Sequence, residues 1–180
     1  DEVYVFTPKG RVVSLAAAST PVDFAYAIHT EVGHRCIGAR VNGRLVPLDT
    51  KLSSADTVEI ITSKSPTAGP SEDWLKIVAS SRARNKIRQW FSRERREDAI
   101  ESGREELAKA LRREAMPLQT VMRSNALVQV AESMNLVDLD ALYAVIGEGQ
   151  VSARSIVQRL ARLLRGDEPE QLPTTAAPGL

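Results

Sequence analysis

Cysteine is nearly absent from this sequence of 180 residues, in which Cys36 is the only one. A single thiol excludes an intramolecular disulfide and a zinc site built from several cysteines, and it fits a reducing compartment. No apolar run approaches the roughly 20 residues that a membrane helix requires. No basic-then-apolar leader opens the chain. These absences predict a cytoplasmic location and no membrane partner.

Aromatic residues and net charge are also scarce. Phe, Trp and Tyr make up 4% of the chain while hydrophobic residues reach 43%, so Leu, Val, Ile and Ala must form most of the core. The formal net charge is +1, so only the distribution of charge can indicate an acidic partner. The chain opens on DEVYVF, without Met and already in a strand pattern, which suggests a part cut from a longer protein.

The first 64 residues have the pattern of a small mixed domain. Thr20, Pro21 and Asp23 form a Thr-x-x-Asp start signal for one helix. Asn42-Gly43 is typical of a two-residue hairpin turn. β-branched and aromatic residues predict strands over 3–6, 11–15, 37–41, 44–48 and 57–62. The order strand, strand, helix, strand, strand, strand predicts a small sheet that grips one helix.

The rest of the chain has a different character. Residues 65–73, SPTAGPSED, predict a linker because they contain two prolines, one glycine and small polar residues. From residue 74 to 165 the hydrophobic period becomes helical, which predicts an all-α domain. Residues 166–180 contain three prolines and little apolar surface, so they are predicted to form a flexible tail.

Five helices are predicted within the all-α region. The first carries an apolar stripe at helical spacing, formed by Ala83, Ile87, Trp90 and Phe91. A charged helix follows from Glu94 to Ala115 and ends at Met116-Pro117. Three short helices are then predicted within 124–134, at 139–146 with Gly147 just past its end, and at 153–165.

The two histidines of the chain, His29 and His34, lie within eight residues together with Cys36. A metal site is disfavoured, because histidines five apart do not align on one helix face and no second ligand cluster exists. Nucleophilic catalysis is disfavoured, because dyads usually join distant segments and a packed thiol is commoner. No phosphate-binding loop or dinucleotide fingerprint occurs. We therefore predict no catalytic residue, no metal and no cofactor. Recognition remains, beside the simpler interpretation that His29 merely ends a helix.

A basic helix face is the second candidate site. Residues 74–96 carry eight Lys or Arg and one acidic residue, Glu94. Arg82, Lys86 and Arg93 share one face, opposite the apolar stripe. This face could neutralise phosphates, or it could be a solvated face balanced by the acidic stretch 97–106. Spacing alone does not separate the two interpretations.

Several motifs resemble one known family. TPKG, TPVDFAYAIH, GHRCIGARVNG and VEIIT occur in that order and resemble the TGS domain of the long RelA/SpoT family, which makes and degrades (p)ppGpp. DWLKIVASSRARNKIRQWF and LDALYAVIGEGQVSARSIVQRL resemble the helical region that follows TGS in that family. The resemblance covers about residues 1–165. It implies an α+β chain, with a β-grasp (ubiquitin-like) domain followed by an all-α domain.

The resemblance also implies a function. The hydrolase and synthetase domains of the family precede TGS, so this region is expected to be regulatory and not itself an enzyme, within a GTP pyrophosphokinase or (p)ppGpp hydrolase. In the family, TGS meets the 3′ CCA end of uncharged tRNA in the ribosomal A site. The key contact is the histidine of the AIH motif, here His29. An imidazole can stack on an unpaired base or hydrogen-bond a ribose hydroxyl.

Further RNA contacts are expected on the same basis, at Lys9, His34, Arg35, Arg82, Lys86 and Arg93, toward tRNA and ribosomal RNA. An alternative function is open at this stage, in which the module binds acyl carrier protein or the catalytic domains of its own protein. An acidic carrier protein would favour the same basic residues, so charge does not distinguish the two.

Overall fold

The computed structural model describes residues 1–166, with the backbone alone at residues 122 and 123. All but the first residue of the predicted tail therefore lies outside the described residues. The chain divides into two compact units, Asp1–Arg93 and the residues from Glu94 on. Residues 74–93 thus belong to the same compact unit as the N-terminal strands.

The N-terminal unit is a five-stranded β-grasp fold. Its strands are β1 (Glu2–Phe6), β2 (Val12–Ala16), β3 (Cys36–Val41), β4 (Arg44–Val46) and β5 (Val58–Thr62). β1 pairs antiparallel with β2, and β3 pairs antiparallel with both β4 and β5. A parallel bridge between Phe6 and Thr57 places β1 beside β5. A two-stranded sheet β1-β2 and a three-stranded sheet β4-β3-β5 thus meet at this bridge, an arrangement that agrees with the predicted β-grasp fold.

Local signals position these strands as predicted. Asn42 and Gly43 both have left-handed backbones, with φ of 52° and 84°, as a type I′ turn between β3 and β4 requires. The helix α1 (Pro21–Ile28) follows β2, with Pro21 in its first turn. A second, five-residue helix, α2 (Thr30–His34), follows α1 directly and was not predicted.

Helix α1 is buried on two sides. One side packs on the sheet through a core of Val5, Leu15, Phe24, Leu52 and Val58. The other side packs, through Val22 and Tyr26, on Val78, Ala83 and Ile87. A 3₁₀ helix (Glu72–Lys76) and the start of α3 (Ser81–Arg113) supply this second core. The apolar stripe predicted at Ala83 and Ile87 is therefore confirmed as core, and both side chains are fully buried.

The C-terminal unit is helical, as predicted. It contains the remainder of α3 and four shorter helices, α4 (Leu118–Arg123), α5 (Ala126–Ser133), α6 (Leu139–Gly147) and α7 (Ala153–Leu164). Its core is aliphatic, with fully buried Leu107, Leu111, Leu127, Leu142 and Leu160. In the described part of the chain, no helix is long and apolar enough to cross a membrane.

Two helix predictions for this region were wrong, and one helix, α4, was not predicted. The stripe-bearing helix and the charged helix form one continuous α3, because no Gly or Pro interrupts the sequence between residue 81 and Gly103. Helix α4 starts right after Pro117, whose fixed φ suits a helix start as well as a helix end. Gly147 is the last residue of α6 and does not lie beyond it.

Helices α3 and α6 cross in close contact at two glycines. A Cβ on Gly103 would overlap the carbonyl oxygen of Tyr143, and a Cβ on Gly147 would overlap the carbonyl oxygen of Ala99. The Arg104 guanidinium lies over the Tyr143 ring, 5.1 Å from its centroid, beside this crossing. The two glycines therefore set the distance between the helix backbones.

Candidate nucleic-acid interface

His29 lies at the junction of α1 and α2 and is exposed. Its backbone N–H donates to the Ala25 carbonyl at 3.2 Å, and its Nδ1 accepts the Glu31 N–H at 3.1 Å. The residue therefore ends one helix and caps the next. Because Nδ1 is used by the cap, Nε2 is the ring atom left for a ligand.

A cleft of about 250 Å³ lies beside this junction. Ile28 and Val32, on either side of His29 in sequence, both line it, and so does Pro8, which precedes Lys9. Its other lining residues are Thr7, Phe24, Val58, Glu59 and Ile60. The lining is mostly apolar, so the cleft can accept an apolar or aromatic group next to the two predicted contacts.

His34 is placed differently from His29, because it is half-buried against aromatic side chains. Its Nδ1 hydrogen-bonds the Tyr26 hydroxyl at 2.9 Å. Its ring meets the Tyr26 ring edge-on at 5.4 Å and lies 6.3 Å from the Trp90 ring, centroid to centroid. The neighbouring Gly33 has no room for a Cβ, which would overlap the Tyr26 ring. This histidine therefore has a packing role whether or not it also contacts RNA.

The surroundings of His34 predict a pH dependence of stability. Burial lowers its pKa below the ordinary 6.5, and Arg93 and Lys86 lower the pKa further while Glu31 opposes them. The unfolded chain then binds a proton more readily than the folded chain, so stability is complete above the ordinary pKa and falls as the pH drops below it. We expect His34→Gln, which cannot titrate, to lose less stability than the wild type between about pH 7 and about pH 5.

Urea unfolding followed by tryptophan fluorescence measures this effect, because both tryptophans, Trp74 and Trp90, lie in the N-terminal unit. His29→Gln is the matched control, since it removes the other histidine. Equal losses of stability for wild type and His34→Gln would show that His34 does not set the acid sensitivity.

Arg35 is engaged with the backbone. Its Nη1 donates to the carbonyls of Ser63 and Ser65, at 3.1 and 2.9 Å, and its Nε lies 3.7 Å from a Glu31 carboxylate oxygen. The guanidinium therefore ties the end of α2 to the chain that leaves β5. The contact of Arg35 with RNA stays a prediction. Lys9, the other predicted contact in this unit, lies exposed in the turn between β1 and β2.

Cys36 is buried at the start of β3, and burial raises the pKa of its thiol to about 11. A thiol with this pKa is almost entirely protonated at neutral pH and is a poor nucleophile. The three residues of the predicted cluster thus face different surroundings. Among residues 1–166, no group of three or more His, Cys, Asp and Glu side chains could hold a metal ion.

The basic face of α3 lies partly beside His34. In addition to burial, the positive charges of Arg93 and Lys86 lower the pKa of His34, whose ring lies 6.3 Å from that of Trp90 on the same helix, α3. Arg82 and Arg93 are exposed, and Lys86 is half-buried. By contrast, Arg84 donates to the Val78 carbonyl at 3.1 Å and is part of the local fold.

Asp23 is the residue whose importance was missed. Its carboxylate is 1% exposed and accepts the Thr20 N–H at 2.9 Å, which is the predicted capping contact. It also accepts from the backbone N–H groups of Ala79 and Ser80, both at 2.9 Å, and from the Ser80 hydroxyl at 2.8 Å. One carboxylate therefore holds the start of α1 and the residues just before α3.

The two units correspond in order to two family models. A model described as the TGS domain matches residues 3–62, and a model described as the RelA/SpoT AH domain matches residues 90–161. The chain thus belongs to the RelA/SpoT family as a TGS domain followed by an AH domain. The predicted resemblance is confirmed.

Curated relatives share most of this chain. It is 58% identical over 168 residues to a GTP pyrophosphokinase of Streptomyces coelicolor, which covers 93% of this chain and 20% of that protein. It is 56% identical over 171 residues to the bifunctional (p)ppGpp synthase/hydrolase RelA of Mycobacterium tuberculosis, covering 94% and 23%. A probable guanosine-3′,5′-bis(diphosphate) 3′-pyrophosphohydrolase of Synechocystis is 49% identical over 160 residues, covering 89% and 20%. The chain spans about a fifth of the length of these relatives.

Proposed function

We propose that this chain is a regulatory RNA-binding module that senses the 3′ CCA end of uncharged tRNA in the ribosomal A site. In this proposal residues 1–64 read the tRNA end, and residues 74–165 contact RNA backbone. The protein to which the chain belongs makes or hydrolyses (p)ppGpp, and this region carries no catalysis of its own. The observation that carries the proposal is the exposed, doubly anchored His29 beside an apolar cleft.

Anchoring matters for a residue that reads a ligand. The backbone of His29 is fixed by α1 on one side and α2 on the other, so its ring is presented with little freedom to lose on binding. The cleft is smaller than the roughly 300–1,000 Å³ of drug-sized sites. That size favours a single nucleobase ring over a whole nucleotide.

In this proposal, the limited room beside His29 distinguishes uncharged tRNA from aminoacylated tRNA. A free 3′ hydroxyl leaves room beside His29, whereas an esterified amino acid would fill that room and clash. Selectivity would then arise by rejecting the charged form, with no need for a stronger contact to the uncharged form. The basic side chains of Lys86 and Arg93 would contribute affinity through phosphates, independently of the aminoacyl group.

The prediction for His29 uses two variants that separate its two roles. His29→Asn keeps a side-chain oxygen that can cap α2, while His29→Ala removes both the cap and the ring. We expect His29→Ala to cost about 1 kcal/mol of stability for the lost cap, and His29→Asn to cost much less. Both variants should lose most of the preference for uncharged tRNA, because both lack the imidazole.

The measurement is binding to ribosomes that carry uncharged tRNA or a non-hydrolysable aminoacyl-tRNA in the A site. Acyl carrier protein serves as a competing ligand in parallel. Normal preference by His29→Asn would contradict the assigned role of His29. Binding of carrier protein but of neither tRNA form would contradict the proposed function as a whole.

The basic face makes a separate prediction. Changing Arg82, Lys86 and Arg93 together to Ala should weaken binding to tRNA-loaded ribosomes without changing the preference for uncharged tRNA, because phosphate contacts carry no such information. The dependence of log affinity on log salt should flatten by about one unit for each lost contact. Lys51, Lys64 and Lys109 are exposed and are changed to Ala as the control with the same loss of charge. Equal effects of the two triple variants would show that only net charge matters.

A further inference from the structure

A groove runs between the end of α3 and the outer side of α7 in the C-terminal unit. It consists of two adjoining clefts of about 200 and 280 Å³, which share Glu114, Arg154 and Val157 as lining residues. The first cleft is also lined by Ala110 and Arg113. Because the clefts share three lining residues, they form a single site between the two helices.

The floor of this groove is apolar and firmly held. Val157 is only 3% exposed and belongs to the core of the unit, as does Ala110. Ala161, one helical turn after Val157, and Met116 extend the floor into the second cleft. Met116 is fixed because its N–H donates to the Leu111 carbonyl at 2.9 Å, where α3 ends. The groove therefore presents a small apolar surface at Met116 and Ala161, over a packed base of Val157 and Ala110 and beside the exposed Gln158.

The rim of the groove is basic. Arg113 and Arg154 line it, and neither guanidinium lies within 4.0 Å of a carboxylate oxygen in the described part of the chain. Glu114 is the one acidic residue among the residues that line the two clefts. Helix α7 contributes no acidic residue. Two exposed cations beside an apolar floor are complementary to a ligand that combines carboxylates with apolar side chains.

We propose that this groove binds an acidic amphipathic helix of a partner protein. Apolar residues on one face of that helix would enter between α3 and α7, and flanking carboxylates would pair with Arg113 and Arg154. A nucleic acid fits less well. The lining contains no aromatic side chain on which a base could stack. A charged phosphate backbone would also gain no favourable contact with the apolar side chains of Val157 and Ala161.

The test uses a synthetic fluorescent peptide of about four helical turns, with Leu on one face and Glu elsewhere. Binding to the full 180-residue chain is measured by anisotropy, and the site is mapped by methyl NMR of Met116 and Val157. Charge reversal at the rim, Arg113→Glu with Arg154→Glu, should weaken binding about tenfold or more. Arg96→Glu with Lys109→Glu changes the net charge equally outside the groove and should have an effect below about twofold.

Two further probes decide between ligand classes. A peptide of the same composition with Leu and Glu scrambled should bind much more weakly, because it presents no apolar face. An RNA duplex should not compete with the peptide at equal concentration. Undetectable binding of the designed peptide, equal binding of the scrambled one, or an RNA duplex that alone depends on Arg113 and Arg154 would each overturn the proposal. Circular dichroism of every variant verifies that the fold is kept.

Discussion

Replacing Asp23 by Ala is expected to destabilise the N-terminal unit by about 3 kcal/mol or more, which is a large effect for one substitution. The physical reason is that the buried carboxylate satisfies the N–H groups of Thr20, Ala79 and Ser80 together with the Ser80 hydroxyl. Removing it leaves the buried Thr20 donor and three part-buried donors of Ala79 and Ser80 without this partner. A fully buried donor left unpaired costs about 1–3 kcal/mol, and the part-buried donors cost less because water can reach them.

Asp23→Asn tests whether the negative charge matters beyond shape. Asn keeps one acceptor oxygen but turns an NH₂ group toward backbone donors, so we expect a loss smaller than that of Asp23→Ala but still clear. Asp73→Asn is the control, because Asp73 is 86% exposed in the 3₁₀ helix. Urea unfolding followed by tryptophan fluorescence measures all three. A loss for Asp23→Ala no larger than for Asp73→Asn would refute the role assigned to this carboxylate.

Gly103→Ala is expected to destabilise the C-terminal unit by about 2–3 kcal/mol, because the added methyl group would overlap the Tyr143 carbonyl and push α3 and α6 apart. Whether Gly103→Ala lowers or raises the stability decides whether α3 and α6 are in close contact at this glycine. In an unhindered helix the same substitution would stabilise the protein by about 1 kcal/mol. Gly103→Val should be worse than Gly103→Ala.

Thermal unfolding followed by circular dichroism at the helical band measures this series. Glu105→Ala, at an exposed position two residues along the same helix, is the control and should change stability by less than about 0.5 kcal/mol. A stabilised Gly103→Ala variant would mean that the helices do not approach each other as closely as the backbone positions indicate.

Local signals explain why so much of the fold could be predicted. The Asn42-Gly43 turn, the Pro21 helix start and the alternation of β1 and β2 each depend on neighbours in sequence. Helix α2 could not be predicted in this way. It has five residues, includes Gly33, and is held by the contact of His34 with Tyr26, which lies eight residues away. So short a helix has little stability of its own, and the tertiary contact of His34 adds to the local cap that His29 provides.

The candidate site likewise combines features that local sequence predicts with features that depend on residues distant in sequence. The position of His29 at a helix end followed from its motif, and its exposure agrees with the role expected of it. The contacts of Arg35 with Ser63 and Ser65 could not be predicted, because nothing local marks partners about 30 residues away. The hydrogen bonds of Asp23 to Ala79 and Ser80 span 56 and 57 residues. They could not be predicted, because the local capping pattern already assigned a partner to this carboxylate.

The distance in sequence between Asp23 and Ser80 has a consequence for synthesis on the ribosome. The strands and α1 emerge first, but the donors that this carboxylate needs are made 57 residues later. Until then the Asp23 carboxylate, which is buried in the folded unit, stays hydrated. The second core around Tyr26 also lacks Ala83 and Ile87 until these residues are made. Closing a loop of this length costs entropy that only the completed contacts offset. The N-terminal unit should therefore become resistant to protease only after the start of α3 has left the exit tunnel.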